Sequence, residues 1–388
     1  MLQTLSARRL LTSSATIDFP VLTIDGDGLI VSIEPGAAPA SSDTTLTSTF
    51  FDIHTHGGAS HDVMEATPEA LGIVSRFIAA HGVGHYLPTT VTAPVDKTLA
   101  SLEGIARAID LASTTDWDAR LARPVGIHLE GPFISHAKRG VHPEADILPP
   151  NISLFDRFQQ AAGGHIRLIT IAPEVPGSLD LIRHCTRNGV RVSIGHTNAA
   201  SDEAHAAIEA GAQSATHTYN AMRPLNHREP GVLGTVLDSE MLFAELICDG
   251  VHVAPELVRL WLKAKGPQRA ILVTDSMAAA GMPDGDYTLG TFAVRVAEGR
   301  AFAADDLTKG QHTLAGSVLT LDRAVANVQR FAGASLEVAT GLASHNPAFL
   351  LGLERAIGYI APGQPANFNV FTASGELQGT ILGGAAVA

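Results

Sequence analysis

Eight short, mostly apolar runs recur between residues 51 and 275, and stretches with helical periodicity separate most of them. They are 51–56 FDIHTH, 84–90 GHYLPTT, 124–130 PVGIHLE, 167–172 RLITIA, 190–196 VRVSIGH, 213–217 QSATH, 243–248 FAELIC and 270–275 AILVTD. Strands that alternate with helices pair in parallel, bury both faces, and at this number close into a barrel. The helical patterns fall at 67–82, 95–112, 177–188, 200–210 and 254–265, with further helix expected at 318–332 and 346–353. "SHNP" at 344–347 reads as an N-cap with Pro in the first turn. The sixth and seventh strands carry the weakest signal, and the helix between them is poorly marked.

The two ends of the chain have another character. Residues 1–48 are short alternating segments, with "DGDG" between two apolar runs as a hairpin turn, and the segment from 359 onward is similar. The expected architecture is α/β: a (β/α)8 TIM-type barrel over 49–358, with a small β-sandwich built from 1–48 plus 359–388. A chain of 388 residues, 45% hydrophobic, has ample core for both. Its formal charge of −13 and lack of any basic run argue against nucleic acid or an anionic membrane as partner. Two cysteines make no disulfide framework. The N-terminus lacks an apolar core segment and a small-residue cleavage site, so a cytoplasmic location is expected.

The polar residues fall at the strand ends. Alternation along the first strand aims His54 and His56 the same way. The third run ends in Glu130, the fifth in His196, the sixth in His217 and the eighth in Asp275. In such a barrel the C-terminal strand ends share one rim, and that rim carries the chemistry. Six metal-capable side chains from five strands would meet there. Histidine and carboxylate without cysteine favour a divalent ion such as Zn, Fe, Mn or Co in an open site. His54, His56, Glu130 and Asp275 could hold one ion, and Glu130, His196 and His217 another, so one or two ions are expected. Amide hydrolysis needs an activated water, a polarised carbonyl and a proton for the leaving amine. Asp275 can move the proton.

The chain also resembles the metal-dependent amidohydrolase superfamily along nearly its whole length. The resemblance is carried by "IHTHGG", "HLEGPFIS…KRGVHPE", "IGHTNA", "THTYNAMRPLNHREPG", "CDGVHV", "LVTDSMAAAG", "LAGS" and "NPA…GYIAPGQPANFNVF". It implies the barrel with its small sandwich, and removal of acetate from an N-acetylated amino-sugar 6-phosphate. It also implies that Glu130, His196 and His217 form the constant metal site, that His54 and His56 serve a second ion, and that Asp275 is the catalytic base and acid. By the same resemblance His142 contacts the acetamido carbonyl. Asn220, Ala221, Arg228 and His252 surround the sugar phosphate, Val141 and the backbone segment Leu314, Ala315 and Gly316 also meet the substrate, and a homodimer is implied in which Arg228 or His252 reaches the neighbouring site. Superfamily members that bridge their metals with a carboxylated lysine take it from the fourth strand. Here "RLITIAPE" has none, and Glu130 stands in that place. The glucosamine and galactosamine epimers stay unseparated at this stage. A non-catalytic sugar-phosphate binder would be expected to have lost the base or the ligands, which are all present.

The remaining histidines, among them His61, His81, His85, His136, His184, His205, His227, His312 and His345, have no second ligand at a useful spacing. His128 shares a strand face with Glu130 and is read as a core residue.

Overall fold

The computed structural model describes residues 2–37, 43–114 and 116–387. Positions 1, 38–42 and 388 of the expected small domain, and position 115, lie outside the described residues. The parallel sheet runs β1 Phe50–Thr55, β2 Val83–Thr90, β3 Ile127–Glu130, β4 Ile166–Ile171, β5 Arg191–Ile194, β6 Ser214–Ala215, β7 Phe243–Ile247 and β8 Ala270–Val273, each strand hydrogen-bonded to the next. The ring is closed by a parallel bridge between Thr55 and Ser276. Two backbone bonds support the closure: Asp275 N–H donates to His54 O (2.8 Å) and His56 N–H to Ser276 O (2.7 Å). The seam of the barrel thus runs between residues that sequence reading assigned to the site.

Helices α1 Pro68–Ala80, α2 Val95–Ala112, α3 Ile152–Ala161, α4 Ser178–Arg187, α5 Ser201–Ala210, α6 Gly231–Asp238, α7 Pro255–Arg269 and α8 Leu321–Ala332 follow the strands in turn. Their starts have local causes. Thr67 accepts from Ala70 N–H, with Pro68 in the first helical position, and Asn151 accepts from Leu154 N–H. The strands are buried almost throughout; in β4 only Arg167 is exposed. That is the pattern of a sheet covered on both faces.

Helix α6 fills the poorly marked stretch between the sixth and seventh strands, whereas α3 and a helix at Leu336–Ala343 were not expected. Ser344 stands at the N-cap position of the helix that follows the last of these, with Pro347 in its first turn, as read. It also closes the preceding helix and donates its hydroxyl back to Thr340 O (2.6 Å), so it does not cap the following helix, His345–Leu350, through its side chain.

The terminal segments form two further sheets. One is antiparallel: Gln3–Ser6, Pro20–Ile24 and Ile30–Pro35. The expected turn joins its last two strands, with Asp25 accepting from the backbone of Asp27 and Leu29. The other sheet interleaves both chain ends, with Phe368–Phe371 paired on Thr45–Ser48. Leu22, Ile24 and Ile30 of the first sheet share one buried cluster with Leu10, Leu46 and Phe368 of the second.

A three-stranded antiparallel sheet, Gly285–Leu289, Phe292–Ala297 and Arg300–Ala303, is inserted after β8 and was also not expected. Its buried side chains Leu289, Val294 and Val296 pack on Val91 and Met277, beside the strand ends of β2 and β8. No helix among the described residues is long and apolar enough to cross a membrane.

Candidate active site

The C-terminal strand ends bring the six candidate ligands together. His54 and His56 leave β1 on one face, Glu130 ends β3, and His196, His217 and Asp275 each lie two residues beyond their strands. These last three hold φ of 45°, 26° and 50°. Such backbone costs a non-glycine residue on the order of 1–3 kcal/mol and persists only where the surroundings dictate it. Here it turns each side chain off its strand and into the barrel mouth.

Glu130 is the hub. Its Oε1 lies 3.2 Å from Nε2 of both His196 and His217, which stand 3.1 Å from each other. His54 Nε2 is 3.4 Å from Oε1, and His56 Nε2 is 3.3 Å from Oε2. Asp275 Oδ1 lies 3.0 Å from His56 Nε2 and 3.5 Å from His54 Nε2. Ligand atoms on a tetrahedral ion with bonds of about 2.0–2.1 Å stand roughly 3.3–3.4 Å apart. The spacings fit.

Hydrogen bonds on the far side of each ring test the fit further. His56 Nδ1 donates to Thr89 O (2.8 Å), His196 Nδ1 to Lys138 O (3.0 Å) and His54 Nδ1 to the Glu245 carboxylate (3.2 Å). In its neutral form each of these rings is thereby set with its lone pair on Nε2, facing the centre. His54 Nε2 and His217 Nδ1 are buried without a hydrogen-bond partner among the described residues. Lone pairs and carboxylates that face one another call for a cation between them.

Without that cation, protons take its place. Burial disfavours the His56 cation, but hydrogen bonds to Asp275 and Glu130 outweigh it and push its pKa up to about 9. His54 and His217 are raised against the same burial, by Glu130 and Asp275. Burial likewise opposes the charge on Glu130 and Asp275, yet their histidine neighbours hold both carboxyls well below the usual range.

His142 is set the other way round. Thr92 N–H donates to its Nδ1 (3.3 Å), and Thr92 Oγ1 lies 2.8 Å from the same atom. Nδ1 is therefore an acceptor and Nε2 carries the proton. Burial, with a smaller contribution from the neighbouring histidines, pushes the ring's pKa down to about 3 and keeps it neutral. By proximity alone His142 groups with Glu130 and His196 as a metal triad, alongside His54, His56 and Asp275. Its protonated Nε2 argues for a hydrogen-bond donor there, and His217 is the better third ligand. Gly131 (φ 81°) makes room: a Cβ at that position would stand 2.0 Å from Thr92 Oγ1.

A cavity of about 310 Å³ opens over this centre. Val141, His142, Asn220, Ala221, His252, Leu314 and Gly316 line it, as do His56, Glu130, His196, His217 and Asp275. His54 lies fully buried beneath. Ala315 is buried as well, behind the Leu314–Gly316 backbone. Arg228 departs from expectation: it sits exposed on the loop before α6 and does not line the cavity of its own chain. Among the described lining residues there is no lysine or arginine. His252 donates from Nδ1 to Asp249 Oδ2 (2.7 Å), which leaves Nε2 for a ligand. His128 is a core residue, as read, tied to Ile53 O and Thr170 Oγ1.

Sequence reading missed Glu245, Thr92, Leu289 and His312. The last, read as a loop histidine, lines the cavity. Glu245 and Thr92 touch the site only through partners distant in the chain, and no local spacing marks them.

A parallel barrel with imidazoles and carboxylates gathered at its C-terminal rim is the frame of a metal-dependent hydrolase. The chain belongs to the amidohydrolase family, whose model matches residues 45–387. It is 36% identical to the N-acetylglucosamine-6-phosphate deacetylase of Bacillus subtilis (strain 168), over 89% of this chain and 85% of that one. It is 37% identical to the N-acetylgalactosamine-6-phosphate deacetylase of Escherichia coli O157:H7, over 95% and 94%. Among solved structures, N-acetyl-D-glucosamine-6-phosphate deacetylase from Mycobacterium smegmatis superposes over the full length of both chains, with a TM-score of 0.90 at 33% identity.

Proposed function

We propose that this enzyme hydrolyses N-acetyl-D-glucosamine 6-phosphate to D-glucosamine 6-phosphate and acetate. The observation that carries the reading is the opposed setting of the histidines: lone pairs turned inward at His54, His56 and His196, an N–H presented by His142, and ionised Asp275 beside them. Two ions are proposed, with Zn put first among the Zn, Fe, Mn and Co that a histidine–carboxylate set accepts. When bound by these residues, a divalent cation supplies Lewis acidity that acidifies water and draws charge from a carbonyl oxygen.

The chain's own groups do the rest. His142 donates from Nε2 to the acetyl oxygen as negative charge builds on it. Asp275 accepts a proton from the attacking water as the new C–O bond forms. It then delivers that proton to the amide nitrogen as the C–N bond breaks, so that acetate and a free amine leave. Asn220, Ala221 and His252 face the sugar phosphate, with the Leu314–Gly316 backbone on the opposite wall. The division of the chain into a barrel over 49–358 and a small terminal domain belongs to the same reading. So does a cytoplasmic location, which two unpaired buried cysteines support.

The phosphate needs a cation, and the described residues lining the cavity of one chain include no lysine or arginine. We propose a homodimer in which Arg228 reaches the partner's phosphate. Arg228→Ala should raise KM for the phosphorylated substrate ~10-fold or more, as expected for losing a charge-assisted contact worth ~1.5–3 kcal/mol. Slow hydrolysis of the unphosphorylated sugar should be nearly unchanged. Equal losses on both would move the phosphate site elsewhere.

The similarity to the galactosamine enzyme supports a second reading, the epimeric substrate. Acetate release from both 6-phosphorylated epimers decides between them. The primary reading expects kcat/KM at least ~10-fold higher for the glucosamine form, the discrimination that one well-placed hydroxyl contact supplies. The reverse ranking would assign the galactosamine form.

A further inference from the structure

We propose that Glu245 is the positioning residue that sets the affinity of the second cation position, the one formed by His54, His56 and Asp275. The inference rests on the two-ion reading above.

Glu245 lies midway along β7. Ile247 lines the cavity, and Glu245, two residues earlier on the same face, sits one layer deeper and fully buried. Its Oε2 stands 3.2 Å from His54 Nδ1 and 3.4 Å from the backbone N of His217. Its Oε1 is buried without a hydrogen-bond partner. A carboxylate so placed is costly unless a charge compensates it.

An ionised carboxylate only accepts. His54 Nδ1 must therefore be the donor, and the Nε2 lone pair is committed to the centre, 3.4 Å from Glu130 Oε1 and 3.5 Å from Asp275 Oδ1. A carboxylate behind a ligating imidazole fixes its tautomer and makes it a better donor to metal. The other rings lack this. His56 and His196 lean on neutral carbonyls, Thr89 O and Lys138 O, and His217 Nδ1 has no partner. The electrostatic support is thus concentrated on the ring that serves the second position.

Charge points the same way. Glu130, Asp275 and Glu245 bring three negative charges to neutral imidazoles. One divalent ion leaves the buried cluster net negative, and a second offsets the charge that remains. Without Glu245 the second ion would enter a less negative centre through a ring free to take either tautomer.

The test uses the full-length protein loaded with Zn²⁺. Metal content is read by mass spectrometry, and the two affinities by titration against a competing chelator. Wild type should hold two ions per chain. Glu245→Gln keeps the volume and an amide oxygen but loses the charge. It should weaken the second ion ~10–100-fold, the usual cost of removing such an outer partner, and leave the first within ~3-fold. Retention of both ions at wild-type affinity would overturn the proposal. Parallel loss of both would make Glu245 a residue of the core only. A wild type that saturates at one ion would remove the two-ion reading and this inference together, while the deacetylase reading would still be judged by acetate release. Should the variant fold poorly, the wild type gives an independent answer. Histidine-selective ¹⁵N spectra of the loaded protein should show His54 protonated at Nδ1 and metal-bound at Nε2, and the opposite tautomer would overturn the proposal.

Discussion

Asp275→Asn should leave the barrel folded and the substrate bound while kcat falls by at least ~100-fold, the lower end of what a positioned general base and acid contributes. The substitution keeps the shape of the side chain. It also leaves untouched the backbone N–H at position 275 that donates to His54 O, so the barrel seam should survive. What is lost is the proton carrier. Burial opposes the charge on Asp275, but His54 and His56 hold its carboxyl well below the usual carboxylate range, so the group is a base at neutral pH. Loss should therefore appear in kcat far more than in KM, in protein whose metal content has been checked. Turnover near wild type in metal-loaded Asp275→Asn would assign proton transfer to another group.

His196→Ala and His217→Ala should remove metal and activity together, with a loss of at least ~100-fold, more than the removal of an outer partner costs. Both rings touch Glu130 Oε1 at 3.2 Å, and with either gone the first position keeps only two protein ligands. A pH dependence accompanies this. In the metal-free protein His56 has its pKa raised to about 9, so an entering ion must displace its proton. Affinity for the second ion should rise with pH up to about 9, by up to ~10-fold per unit for each proton released, and fall in acid. A chelator titration at several pH values reads this directly, and a flat profile would mean that His56 is no ligand. Full activity in a metal-poor His196→Ala protein would place the chemistry outside the Glu130 cluster.

The parts of the molecule that were legible in the sequence share a physical cause. A buried parallel strand is largely apolar, and β4 and β8 stand out for that reason, as does the Phe50–Phe51 start of β1. Their polar terminal residues are conspicuous against such runs, which is how His54, His56 and Asp275 come to notice. The strand β6 is faint because only Ser214 and Ala215 pair. The helix α6 is faint because two glycines dilute its pattern. The inserted sheet at 285–303 alternates buried and exposed residues, yet it interrupts the strand–helix rhythm that organises everything before it. Glu245 was invisible for another reason. It sits inside an apolar strand, and its partner His54 is 191 positions away. Only closure of the barrel brings them together. The setting of His142 is equally non-local, since Thr92 lies 50 positions back.

Acetate release from N-acetylglucosamine 6-phosphate, measured before chelation, after it, and after the metal is restored, tests the account most directly. The residues gathered around Glu130 predict a fall to below ~1% of the starting rate when the ions are removed, and recovery when Zn²⁺ is returned, because the acidified water and the polarised carbonyl both depend on the cation. Acetate released at an undiminished rate by protein shown to be free of metal would contradict it.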